Sequence, residues 1–177
     1  MRIKIISAVV LSLTALTAVA QHDGAAKQPL SPPAKAEAKV AGKYIQIDYS
    51  APSKRDRKIM GELVPYGQVW RTGANAATTL TTDASLTIGK LKVPAGKYTL
   101  YTIPNAKGWT LIVNKQTGQW GTSYDELQDL GRVPMTVKSV AKPLETFNIA
   151  IKPTGGKKAN LVLSWENVVA TAPIVVN

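Results

Sequence analysis

The chain has 177 residues, enough for one domain with a full core and too few for two of ordinary size. It contains no cysteine and a single histidine, His22, which excludes disulfides, thiolate metal sites, Ser-His-Asp and Cys-His catalysis, His-ligated zinc and imidazole acid–base work. The formal net charge of +11 favours acidic partners, but the cations are scattered and no basic helix or aromatic-basic sheet motif marks a nucleic-acid surface.

Met1 to Ala20 has a basic start (Arg2, Lys4), an apolar run from Ile5 to Val19 and the small-x-small ending Ala18-Val19-Ala20. This pattern predicts a signal peptide cleaved after Ala20 and a secreted or periplasmic protein. The apolar run is shorter than the roughly 20 residues that span a bilayer, so no transmembrane anchor is expected to remain. Residues 21–35 are rich in Ala, Pro and polar side chains and read as a flexible leader. A single domain is expected from residue 36 to 177.

Within it, period-two alternation marks strands over Ala36 to Val40 and over Tyr44 to Tyr49, where Ile45, Ile47 and Tyr49 share a face. Ser53 to Val69 is mixed and basic, with one helical turn expected between Lys58 and Leu63, and forms a first long connection. Ala76 to Thr82 and Ala84 to Ile88 read as two short strands, with a bulge at Asp83 in one longer strand as the alternative. Val93-Pro94-Ala95-Gly96-Lys97 reads as the tight turn of a hairpin whose second arm is Tyr98 to Ile103. Trp109 to Asn114 follows, and Lys115 to Gly131 makes a second long connection. The last strands are Val133 to Val140, Thr146 to Ile151, Asn160 to Glu166 and Val168 to Val176. About nine or ten short strands with almost no helix predict an all-β antiparallel sandwich, with a closed barrel as the alternative.

Binding side chains concentrate on long connections between rigid strands. The stretch Gly61 to Thr79, GELVPYGQVWRTGANAATT, places Tyr66, Trp70, Arg71 and Asn75 among Gly61, Gly67 and Gly73. Trp70 and Arg71 would point to opposite sides of a strand and can serve one ligand only if the backbone turns, which Gly73 permits. Arg71 then suits a carboxylate, phosphate or sulfate, and an aromatic ring suits a sugar. The structural alternative has Trp70 plugging the end of the sandwich and Arg71 neutralising a buried acid such as Asp48 or Asp129. Asn75 beside glycine is often a turn residue, and Tyr66 serves core or site equally well. Trp109 and Trp165 fall within clean alternation and read as core.

The second connection offers Trp120, Tyr124, Asp125, Asp129 and Arg132. Asp125-Glu126 with Asp129 lacks the alternate-ligand spacing of a calcium loop, so no metal or cofactor is expected, and one turn of helix with solvated acids explains the run. A carboxylate-based hydrolase or isomerase using Asp129 or Asp48 is the remaining catalytic option.

VPYGQVWRTGAN, taken with Tyr49-Ser50-Ala51-Pro52, Arg57-Lys58-Ile59-Met60-Gly61, Val93-Pro94-Ala95-Gly96-Lys97-Tyr98, Ile103-Pro104, Trp109, Asn114, Trp120-Gly121, Tyr124, Asp129 and Arg132, resembles the domain of unknown function family 2911. The resemblance runs from about Ala36 to the C-terminus. The family's usual glycine before the arginine is Asp56 here, and its phenylalanine before Gly61 is Met60. The resemblance implies a secreted β-sandwich with no established activity, and it implies that Arg57, Trp70, Arg71, Gly73, Asn75, Tyr124, Asp129 and Arg132 belong to the family's pattern. The leading expectation is a non-catalytic module that binds a small anionic or saccharide ligand, or an envelope component, through Arg57, Tyr66, Trp70, Arg71, Asn75, Tyr124, Asp129 and Arg132. The alternative is an envelope structural or interaction protein whose central loop is architectural.

Overall fold

The computed structural model describes residues 29–177, so the expected signal peptide with its expected cleavage point, most of the expected leader and His22 lie outside the described residues. Nine strands follow in order: β1 Pro33–Val40, β2 Lys43–Ser50, β3 Thr79–Thr82, β4 Leu86–Ile88, β5 Leu91–Val93, β6 Gly96–Ile103, β7 Trp109–Asn114, β8 Asp129–Gly155 and β9 Lys158–Val176. They form one antiparallel sheet in the order β1-β2-β3-β6-β7-β8-β9-β4-β5, which does not close into a barrel. The sheet folds over into a sandwich, and β1 at one end of the order packs against β8. The all-β sandwich expected from the alternation is therefore the observed fold.

β8 makes the two layers continuous. Residues Asp129 to Met135 of β8 pair with β7, and Thr136 to Gly155 pair with β9. The sequence reads as separate strands here because the ladder is irregular between Ser139 and Leu144 and again before Asn148, around Pro143, which has no N–H to donate. On β9 the matching bend is Glu166, with a left-handed φ of 51°. Each long strand thus joins two of the short ones expected.

The stretch Val93 to Lys97 is not a hairpin turn. β5 pairs with β4, whereas β6 pairs with β3 and β7, so Pro94-Ala95 carries the chain from one layer to the other. The hairpin in this region is β4-β5, turning at Gly89, whose φ is 58°. Leu91–Val93 is a strand the alternation did not reveal, being only three residues long.

Both layers contribute to one core that includes Ile45, Ile47, Leu80, Leu100, Ile149 and Leu161. Trp109 and Trp165 are core residues, as their alternation indicates. The backbone N–H of Ile149 on β8 donates to the Tyr49 hydroxyl on β2 at 3.1 Å, a polar tie between distant strands. Phe147 is 1% exposed and meets the rings of Tyr49, Trp70 and Trp165 at 5.7, 5.0 and 5.9 Å. Phe147→Ala is expected to lower the unfolding free energy by about 3–5 kcal/mol, measurable by denaturant unfolding followed through tryptophan fluorescence.

Candidate functional site

The first connection is a pinned structure. Bridging of Ser53 to Thr146 and hydrogen bonds from Phe147 N to Pro52 O (2.9 Å) and Lys54 N to Glu145 O (2.7 Å) tie its start to β8. Left-handed backbone at Arg55 (φ 49°) and Asp56 (φ 58°) makes a compact turn there. The Glu166 carboxylate accepts from the backbone N–H groups of Ile59 (3.2 Å) and Met60 (3.1 Å), fixing the next segment. Charge assistance strengthens such bonds. Ile59, Met60 and Val64 are buried, while Tyr66 is exposed and lies over Gly61.

Trp70 and Thr102 form a two-bond bridge, N to O at 2.7 Å and N to O at 2.9 Å in return. This sends the indole into the aromatic core, stacked on Trp165 at 5.9 Å and edge-on to Trp109 at 6.1 Å. The chain then turns sharply through Thr72 (φ 53°), Gly73 (φ 153°) and Asn75 (φ 58°). Left-handed φ is costly for a β-branched residue. Thr72 is held there by its surroundings: it is fully buried, its hydroxyl bonds the Thr102 hydroxyl at 3.1 Å, and its carbonyl accepts from Thr78 Oγ1 at 2.8 Å. A Cβ on Gly73 would sit 3.0 Å from the Ser50 carbonyl oxygen. Because of this turn, Trp70 and Arg71 line the same cavity, of about 770 Å³, instead of diverging.

The second connection closes that cavity. Gly121 N donates to Asn75 O at 3.0 Å, Ala77 N donates to Gln119 O at 3.2 Å, and Ala76 bridges Trp120. The aliphatic stem of Arg71 lies across Gly121, where an added Cβ would approach Arg71 Cδ to 2.6 Å and Asn75 O to 2.7 Å. Tyr124 also lines the cavity, its ring edge-on to Tyr101 at 4.9 Å. The Tyr124 hydroxyl donates to Asp129 Oδ2 at 2.8 Å and accepts from Arg132 Nη2 at 3.0 Å. Asp129 also accepts from Arg132 Nε at 3.1 Å and Asn114 Nδ2 at 2.9 Å, and Arg132 reaches Glu126 at 2.6 Å. The expected single turn of acidic helix is the 3₁₀ turn Glu126–Gln128.

Of the side chains expected at the site, Arg57, Trp70, Arg71, Asn75 and Tyr124 line the cavity. Tyr66, Asp129 and Arg132 do not; the last two brace Tyr124 from behind. Arg71 does not neutralise Asp48 or Asp129. Asp48 accepts from Gln46 Nε2 at 2.6 Å, Asp129 belongs to Arg132, and Arg71 forms no ion pair or side-chain hydrogen bond among the described residues. Asn75 is a turn residue, with left-handed backbone and an amide that donates to Ser31 O at 3.3 Å.

Tyr101 joins the lining without any sequence signal, and Arg55, which the first connection also offers, joins it beside Arg57. Arg55 sits in a basic run that gives no directional signal, and β6 is buried on successive residues, so its alternation hides Tyr101. Arg57 is oriented by bonds to the Lys54 (2.9 Å) and Ser53 (2.8 Å) carbonyls, and Arg55 donates to the Leu30 carbonyl. No aspartate or glutamate lines the cavity, and neither Arg55 nor Arg57 is ion-paired among the described residues. Asp48 and Asp129, the carboxylates named for a catalytic role, both lie off the cavity.

A family model described as "Protein of unknown function (DUF2911)" matches residues 31–174. No curated protein and no solved structure matches the chain.

Burial, with the Asp129 hydrogen bond, pushes the Tyr124 hydroxyl up from 10.0 to about 12, against the opposing pull of Arg132. Burial raises Tyr101 as well. A raised folded-state value means that this stabilisation is full below pH 10 and is lost as pH climbs towards 12. Unfolding free energy measured across that interval is expected to fall, with a shallower slope in Tyr124→Phe. Arg71→Met, which keeps the stem over Gly121 and removes the charge, is expected to change stability by no more than about 0.5 kcal/mol or to raise it. A loss of about 3–5 kcal/mol in the same denaturant titration would instead mean that the guanidinium neutralises a buried acid.

Proposed function

The chain belongs to the DUF2911 family of proteins of unknown function, and from the chemistry of its cavity we propose that it is a non-catalytic module that binds a small anion. One observation carries this reading: Arg55, Arg57 and Arg71 line a single cavity that no carboxylate lines. Cations that face one cavity with no carboxylate on its wall repel one another, and an anionic ligand relieves that repulsion while accepting several charge-assisted hydrogen bonds. The guanidinium fork suits a carboxylate, phosphate or sulfate. A saccharide is the weaker candidate, because one face of the Trp70 indole is already stacked against Trp165, which leaves little ring surface for a sugar.

The leader pattern of Met1 to Ala20 supports a site of action outside the cytoplasm. Among the described residues no helix is long and apolar enough to cross a membrane. A second reading, an envelope interaction protein, draws on the exposed aromatic rings of Tyr66 and Trp120, which are outside the cavity lining.

Thermal-shift and calorimetric titration with phosphate, sulfate and simple carboxylates is expected to show binding that weakens with added salt. Arg71→Met is expected to reduce the affinity about 10- to 100-fold. Neutral mono- and disaccharides should leave the melting curve unmoved. Saccharide binding that survives Arg71→Met, or the absence of any anion binding at millimolar concentration, would overturn the proposal.

A further inference from the structure

The cavity has a second chemical character that the arginines do not explain. Seven large hydrophobic side chains are exposed among the described residues, and three of them, Leu30 (70%), Leu63 (46%) and Val69 (39%), line this one cavity. Pro65 adds a further apolar wall. Single exposed leucines need no explanation, but several gathered on a concave, charged site mark a place where apolar matter is received. The apolar and cationic groups are also contiguous: Arg55 donates to the carbonyl of Leu30, and Val69 is two residues from Arg71.

We infer that the ligand is a single-chain amphiphilic anion, whose charged head meets Arg71 and Arg57 and whose alkyl or aryl body covers Leu30, Leu63 and Val69. This rests on the anion-binding reading above and narrows it. Charge complementarity selects this occupant over a second copy of the chain, which would bring its own excess of positive charge to the same arginines. The concave shape suits one free molecule rather than the plane of a membrane.

Calorimetric titration of the purified protein with methyl, butyl and octyl phosphate, each below its micellar concentration, tests the inference. Affinity is expected to rise about two- to fourfold for each added methylene until the apolar rim is covered. In Leu63→Ser/Val69→Ser that gain should flatten while methyl phosphate binds as before, and Arg71→Met should weaken every member of the series by a similar factor. Equal affinities for methyl and octyl phosphate would overturn the inference and leave the anion reading standing. No binding by any member would bring down both. A chain-length gain that persists in the leucine and valine variant, octyl glucoside binding as tightly as octyl phosphate, or binding to anionic phospholipid vesicles without binding to the monomeric phosphates, would each overturn the inference.

Discussion

The indole of Trp70 meets the ring of Phe147 at 5.0 Å, lies nearly parallel to Trp165 and stands edge-on to Trp109. Those three partners come from β8, β9 and β7, so a loop residue occupies the place where both layers of the sandwich converge. Aromatic contacts of this kind add to the transfer free energy of burying the rings. The backbone beyond Trp70 inherits the constraint. With the indole fixed on one side and the Thr72 hydroxyl tied to Thr102 on the other, the chain can leave only through left-handed conformations. The aromatic core is therefore what sustains the strained turn, and the turn is what aims Arg71 into the cavity.

Two arginines illustrate how differently the fold treats similar side chains. Arg132 has its charge satisfied by Asp129 and Glu126, and its guanidinium is held more firmly protonated by the Asp129 bond. It acts as a brace for the second loop. Arg71 has its stem packed on Gly121 and its charge unmatched. Gly121 matters twice in this arrangement, since its N–H ties the two loops together and its missing side chain leaves the lane in which Arg71 lies. An oriented cation without a partner already meets much of the entropic cost of recognising an anion, because its stem has lost rotamer freedom in the free protein.

Much of the scaffold was legible in the residues. Ile45, Ile47 and Tyr49 alternate as a half-buried strand must, and Trp109 and Trp165 fall where their alternation puts them. The central stretch was legible as unusual because Trp, Arg and Asn beside glycine fit no simple strand. What escaped was pairing. Pro94 and Gly96 announce a turn but not whether the strands on either side are neighbours, and here they belong to different layers. Pro143 interrupts the pattern of β8 without ending the strand, because β8 pairs with β9 on both sides of an irregular stretch of ladder. The partners of Arg71, Asp129 and Arg132 depend on where two loops distant in sequence are delivered. Spacing of three between Asp129 and Arg132 permits their ion pair without requiring it. That Gly121 would face Arg71 has no sequence signal at all.

The long ribbon of β8 and β9 bears on how the molecule opens. A sandwich built from two separate sheets can shed one layer while the other stays hydrogen-bonded. Here β8 runs from one layer into the other, pairing first with β7 and then with β9, and the first loop is fastened to the β8-β9 ribbon through Glu145, Thr146 and Glu166. Separating the layers therefore strains β8, and their opening is coupled through that one strand. The loop that leads to Arg71 is tied to the same ribbon, so opening the ribbon and losing the arginine-lined cavity are linked events.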